Sequence, residues 1–496
     1  MRRKRTRPTV PPRENALVFA LLLNVLWLAF ALGGVRLWGE LTALLIALAT
    51  LFLLPEWKTG EIHGASKPLF RLLKLPLFWL GFGLILVFYI QSWNLGWEWR
   101  IREGRPVLAA VDPSVSWLPA GIVAPLEDSN PFRMMIFYIT PWLACCCAWV
   151  GLSTRRSVNR LVNGLAAVGV LFGGLALYQH FKGKDLILGL FPTVPTKVNA
   201  DIPFWGTLIN ENHAAFFLII ATGLCLGLFL TGWHRDLRLF KHRGGSWLLY
   251  LGMALMTTFS VLMAQARGAI GFVALLWFIF IVILSVFFVW RFGLKGLAFP
   301  GVFAAIAIAI VITFIVNPDV YERQEKEWIR TFNTVENPQL EARYYMMQIA
   351  ADMIADKPWY GHGAGSWRYT HLPYLKNYPE FKTEQVRWLP NPFTGKNERR
   401  KVTLWYENAH VDLMEYVVEW GIIGCLFPVM AGLWLLYRGI RAHSGWDMGT
   451  LTMLMTVLVV FLGALAEFHF RIPLVLLVWC LLFTLTIKTA ELNTHR

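Results

Sequence analysis

The chain has 496 residues, of which 56% are hydrophobic and only 16% charged, a balance too apolar for an ordinary soluble enzyme and fitting a polytopic membrane protein. Its net charge of +15 does not mark a nucleic-acid binder, because the Lys and Arg residues are distributed between apolar segments and form no compact basic domain. The six cysteines all fall inside apolar runs, which argues against a disulfide framework or a zinc site.

Apolar runs able to cross about 30 Å of hydrocarbon occur near 16–32, 41–55, 75–91, 134–151, 161–178, 214–231, 246–264, 269–290, 297–316, 414–437, 450–467 and 472–488. The expected fold is therefore an all-α polytopic membrane protein of about twelve transmembrane helices. A large, partly helical external loop separates helices nine and ten. The expected divisions are helices one to nine over 1–316, a large loop subdomain over 317–410 and helices ten to twelve over 411–496. The first run lacks a small-x-small cleavage pattern and is read as a retained helix, not a signal peptide. One alternating set of short loops and termini carries 23 Lys and Arg, whereas the three short loops of the other set carry one each, Arg36, Arg267 and Arg471. The positive-inside rule then puts both termini in the cytoplasm and the long loops 92–133, 179–213 and 317–410 outside.

The last of these loops is longer than a connector needs to be. Within it Leu340, Tyr344, Met347, Ala351 and Ile354 recur at helical spacing, predicting an amphipathic helix that Pro358 stops, with Arg343 beside the stripe. Gly361-His-Gly-Ala-Gly365 follows, then an aromatic-rich stretch with an expected hairpin around Asn391-Pro-Phe-Thr-Gly395. The glycine run lacks a preceding strand and a Gly-Lys-Ser/Thr ending, so it reads as a turn with close backbone approach and not a phosphate loop.

Ionisable residues near hydrocarbon are costly and tend to be functional. Arg36, Glu40, His213, Arg267, His410, Glu467 and Arg471 all fall at expected external helix ends, where snorkelling charges also belong. Arg267 lies in a tight turn among small residues, and its planar guanidinium suits phosphate oxygens as well as helix-end carbonyls. Asn212 and His213 open a helix at Asn210-Glu-Asn-His213, where Glu211 suits a first-turn anion. Asn408 is the expected N-cap of the following helix, putting His410 in its first turn, where the helix dipole disfavours the imidazolium and leaves a neutral base.

His410-Val-(nine residues)-Gly421-Ile-Ile-Gly424 resembles the His-[Asn/Ser/Gln]-x9-Gly-x-x-Gly signature of the O-antigen ligase and O-antigen polymerase superfamily. Asn210–Ala214, the Arg267-Gly268 turn and the segment from Arg343 to Gly365 resemble further motifs of that family, in order. Val411 replaces the usual polar residue, and Ala266 stands where a serine often precedes Arg-Gly. The resemblance implies a GT-C-like bundle in the bacterial inner membrane. The implied reaction is inverting, metal-independent transfer of a glycan from an undecaprenyl-diphosphate carrier to an acceptor hydroxyl, with no cofactor and no nucleic-acid partner. It implies His410 as base, Arg267 and Arg343 as diphosphate ligands, and Asn212, His213, His362 and Trp367 as glycan contacts, with Tyr369 and Trp405 as further stacking surfaces. The alternatives are a polymerase of lipid-linked repeat units, a transporter or flippase, and a glycan-binding assembly protein.

Overall fold

The computed structural model describes residues 11–54, 68–102, 105–125, 129–182, 186–187, 191–192, 205–239, 245–298, 300–305, 342–381, 384–390, 397–403 and 406–494. Fourteen α-helices are used below: α1 Pro12–Phe30, α2 Leu37–Phe52, α3 Pro68–Leu73, α4 Pro76–Trp93, α5 Pro131–Gly151, α6 Arg155–Lys182, α7 Glu211–Leu239, α8 Ser246–Met263, α9 Arg267–Phe292, α10 Ala342–Asp356, α11 Trp367–Thr370, α12 Asp412–Arg441, α13 Met448–Gly463 and α14 Pro473–Thr494. Eight of the described helices are long and apolar enough to cross a membrane, and they coincide with eight of the twelve expected spans. Three more expected spans, 41–55, 246–264 and 450–467, coincide with the shorter apolar helices α2, α8 and α13. The remaining run, 297–316, lies mostly outside the described residues.

Helix α7 forms the centre of the bundle, buried on every side from Ala214 to Leu230, as a helix that is apolar all round must be. Small residues let its neighbours approach. A Cβ on Gly223 would overlap Thr456 of α13, and one on Gly227 would lie 2.7 Å from Met453. Helix starts follow their local chemistry: Asn130 caps α5 by accepting from Arg133 N at 2.9 Å ahead of Pro131, and Asp447 and Thr450 form a capping box at α13.

The bundle is helical as expected, and short strands occur in the loops. Strands β1 Leu95–Arg102, β2 Arg105–Ala110 and β3 Gly121–Ile122 form a sheet ordered β2-β1-β3, and β4 Leu186–Ile187 pairs with β5 Phe191–Pro192. The expected hairpin is present as β6 Glu384–Pro390 against β7 Asn397–Thr403, antiparallel with Glu384 opposite Thr403. The cause is visible in β1, where Trp97, Trp99 and Ile101 alternate with charged residues on a segment too polar to enter the bilayer.

Helix α10 stops before Pro358 as expected, but it buries a face rotated from the anticipated stripe. Tyr345, Met346, Ile349, Ala350 and Met353 face inward, while Met347 is 43% exposed and Leu340 lies outside the described residues. Packing against Trp367, Ala409 and Val418 selects that face.

Helix α12 is interrupted at Gly421, which has φ +65° and ψ −179°. The segment after α10 fills the break. Ile422 and Ile423 donate their N–H groups to the carbonyls of Pro358 and Trp359 at 2.8 and 3.1 Å, while His362 and Gly363 donate to Val418 and Glu419 at 2.8 and 3.0 Å. Gly361 permits the approach, since a Cβ there would lie 2.6 Å from the Glu419 carbonyl. Gln91 of α4 locks the junction, accepting from Ala364 N at 3.0 Å and donating to Tyr360 and Glu419 carbonyls.

Gly421 adopts a backbone conformation open essentially to glycine alone, and an added Cβ would overlap the Trp359 carbonyl. Gly421→Ala is therefore expected to lower stability by more than about 2 kcal/mol. Gly432→Ala, in open space on the same helix, should be neutral or stabilising by up to about 1 kcal/mol. Unfolding midpoints of the two detergent-solubilised proteins check the contrast, and equal midpoints would contradict it.

Candidate functional site

The polar groups at the α12 end of the bundle converge on the turn from Ala464 to Arg471 that joins α13 to α14. Asp412, the first residue of α12, docks on this turn: its N–H reaches the Glu467 carbonyl at 3.3 Å, and its Oδ2 accepts from Phe470 N at 2.8 Å. Arg343 of α10 comes down on the same turn, with Nη2 2.7 Å from Glu467 Oε1 and Nη1 3.3 Å from the Ala466 carbonyl. The first turn of α9 arrives from a third direction, since a Cβ on Gly268 would lie 3.8 Å from Glu467 Oε1. Arg267 begins that helix, so its backbone belongs to this convergence; the placement of its side chain lies outside the described residues.

Phe468 packs between two imidazoles. His410 and His213 each meet its ring edge-to-face with centroids 4.6 Å away. His213 is almost fully buried in the first turn of α7, and its Nε2 has no hydrogen-bond partner among the described residues. Asn212, one residue earlier, uses its N–H on Asn210 Oδ1 at 2.8 Å, which makes Asn210 the local cap of the helix. His469, behind Phe468, stacks on Phe216 at 3.8 Å and bonds through Nε2 to the Val460 carbonyl at 3.1 Å.

His410 stands two residues before α12 begins, so its expected place in the first helical turn is corrected, as is the capping role of Asn408. Val411 occupies the cap position and supplies no side-chain hydrogen bond. His410 has φ +58°, a left-handed conformation uncommon outside glycine. Burial, then the nearby Arg343 guanidinium, depress its pKa from the ordinary 6.5 to about 4. The imidazole is neutral at pH 7 for these reasons and not because of the helix dipole. Its Nδ1 is buried without a hydrogen-bond partner among the described residues.

A buried ion cluster near the start of α12 was not anticipated from the sequence. Arg471, nearly buried, pairs with Glu415 at 3.0 Å and Glu419 at 2.7 Å, one turn apart on α12, and lies over the Tyr416 ring at 4.8 Å. Burial works against the guanidinium's charge, and the two carboxylates more than offset it, holding its pKa well above the usual value. The available signal was a pair of acids four residues apart in an otherwise apolar segment, a spacing that puts both on one helix face.

Two expected glycan contacts are placed elsewhere. Trp367 is fully buried, stacked on His371 at 5.3 Å and packed with Met346, Ile349 and Val418, so it has no open face for a sugar. His362 is also buried, with Nε2 3.0 Å from the Met353 carbonyl, and burial lowers its pKa to about 4. Both are anchors of the loop subdomain, because the aromatic and imidazole rings supply its core. Tyr369 is buried against Trp99, and Trp405 lies outside the described residues. Glu40 is taken up in an ion pair with Arg133, at 2.9 Å, beside the Val35 carbonyl that the same guanidinium binds.

Apolar helices in this number, with a polar site gathered at one end of the bundle, define a multi-pass membrane protein. Residues 251–429 match the family model described as O-antigen ligase, a segment running from α8 through Arg267, Arg343 and His410 to the Gly421–Gly424 break of α12. Over this segment, about a third of the chain, the protein is similar to the O-antigen ligase family. No curated protein matches the sequence.

Because Arg343 contributes to the depressed basicity of His410, the imidazole is expected to titrate well below 6.5, and Arg343→Gln should move its midpoint upward. Titration of ring-labelled histidine by NMR, with His410→Gln to assign the resonance, checks this; an unchanged midpoint would show that Arg343 does not act on the ring.

Proposed function

We propose that the protein transfers a glycan from an undecaprenyl-diphosphate carrier to an acceptor hydroxyl, with inversion and without a metal, at a site facing the periplasm of a bacterial inner membrane. The observation that carries this reading is the convergence of Arg343, the N-terminus of α9 and a neutral His410 on one turn. A diphosphate leaves as an anion and needs no protonation, so the site must stabilise its charge and remove one proton from the acceptor. Arg343 has the cation for the first task, with 43% of its side chain exposed beyond the Glu467 contact, and Arg267 and the helix N-terminus add to it. His410 has the neutral imidazole for the second, and an anionic diphosphate arriving beside it would raise its basicity toward neutrality.

Asn212 and His213 open α7 on the far side of Phe468 and are assigned to the acceptor or glycan. Orientation follows from the Lys and Arg asymmetry, which puts both termini in the cytoplasm. Transport is disfavoured because the polar groups gather at one end of the bundle, whereas carriers bind near the midplane. Ligase and polymerase differ in acceptor alone, and the same base and cations serve both.

Reconstitution with an undecaprenyl-diphosphate-linked oligosaccharide and separate candidate acceptors is expected to give a glycosylated product, a single addition for a ligase and a ladder for a polymerase. His410→Ala should reduce the rate by about 10²–10⁴-fold and Arg343→Ala by about 10²–10³-fold, with folded protein recovered in normal yield. Flux of the lipid without product, or full activity in His410→Ala, would overturn the reading. A reporter fused after Arg496 is expected to be cytoplasmic.

A further inference from the structure

Glu415, Glu419 and Arg471 are buried beneath the proposed base, and no chemistry assigned so far uses them. Each carboxylate spends one oxygen on Arg471 and the other on a backbone N–H of a different segment. Glu415 Oε2 accepts from Ala409 N at 2.7 Å, the residue immediately before His410, while Glu419 Oε1 accepts from Trp367 N at 3.1 Å in the loop subdomain. Arg471 itself closes the turn that bears Glu467 and Phe468, the groups touching Arg343 and His410. One guanidinium thus ties together the three segments from which the site is built.

Mere burial of charge does not account for this arrangement, since a buried ion pair is seldom a net source of stability compared with apolar packing. The arrangement instead answers a geometric need. His410 follows a loop, has φ +58° and has Val411 in place of the polar neighbour, and its Nδ1 finds no hydrogen-bond partner among the described residues. We infer that Glu415, held by Arg471, is the positioning residue for His410, fixing the backbone at Ala409 so that the imidazole stands edge-on to Phe468 at the acceptor. This inference rests on His410 being the base. Glu415 touches neither substrate nor the reacting atoms; it acts through one peptide group, and a shift of about 1 Å in a catalytic group can cost about 10²-fold in rate.

Glu415→Gln is the test, because an amide retains the volume but cannot accept from Ala409 N without turning its NH2 toward Arg471. In proteoliposomes with an undecaprenyl-diphosphate-linked oligosaccharide and acceptor, kcat is expected to fall about 10²-fold. The KM for the lipid-linked donor should be unchanged, because Arg343 and the α9 turn are untouched. Binding of undecaprenyl diphosphate, measured separately, should match wild type, and the acid limb of the pH profile should stay in place, since the base is displaced and not retitrated. A wild-type kcat would overturn the inference, and so would parallel loss of kcat, product-lipid binding and thermal stability, which marks a purely structural carboxylate. His410→Ala run alongside separates the two levels: if it retains full activity the base assignment fails, whereas an inactive His410→Ala with a fully active Glu415→Gln fails the positioning role alone.

Discussion

The architecture depends on repairing one broken helix. At Gly421 the ladder of α12 is interrupted inside a bundle where water is scarce, and each unsatisfied peptide group there would cost several kcal/mol. The repair comes from another part of the chain: carbonyls of Pro358 and Trp359 and N–H groups of His362 and Gly363 complete the ladder from outside. The loop subdomain is therefore a structural part of α12 and cannot be docked elsewhere without exposing those groups. Since α10 precedes the repair segment and His410 precedes α12, these backbone hydrogen bonds help to place Arg343 and His410 relative to each other.

The glycines of the signature gain a physical meaning from this. Gly361 and Gly421 face one another across the repair, and both have positive φ. A side chain on either would separate two backbones that must touch. A pattern of a histidine followed at fixed distance by a glycine thus encodes the length of the half-helix Asp412–Trp420, which holds His410 at one end and the junction at the other.

Much of this was legible in the sequence, for identifiable reasons. Long apolar runs declare themselves because hydrocarbon tolerates little else, and β6–β7 was signalled by Asn391-Pro-Phe-Thr-Gly395. Polar residues at one set of helix ends marked His213 and His410, and the amphipathic stripe in the long loop marked Arg343; the fold brings the three together around Phe468 and Glu467. Harder to read were properties set by partners distant in sequence. The buried face of α10 depends on Trp367 and Val418, which lie well outside any helical window. Trp367 looked like a sugar platform because aromatic composition does not distinguish a core ring from an exposed one. In the Glu415–Arg471–Glu419 cluster, Glu415 and Arg471 lie 56 positions apart in the chain, and periodicity has no means of pairing them.

Helices α8 and α13, which lead into the α9 turn and the Ala464–Arg471 turn, are among the shortest in the bundle, with 18 and 16 residues. At about 1.5 Å per residue they reach only about 27 and 24 Å, against about 30 Å of hydrocarbon. Each falls a few ångströms short of that thickness, a mismatch that local thinning of the bilayer or snorkelling flanking residues absorbs. For the lipid-linked donor proposed above, a short-helix floor of this kind would let the lipid tail enter laterally with its headgroup close to the level of Arg343.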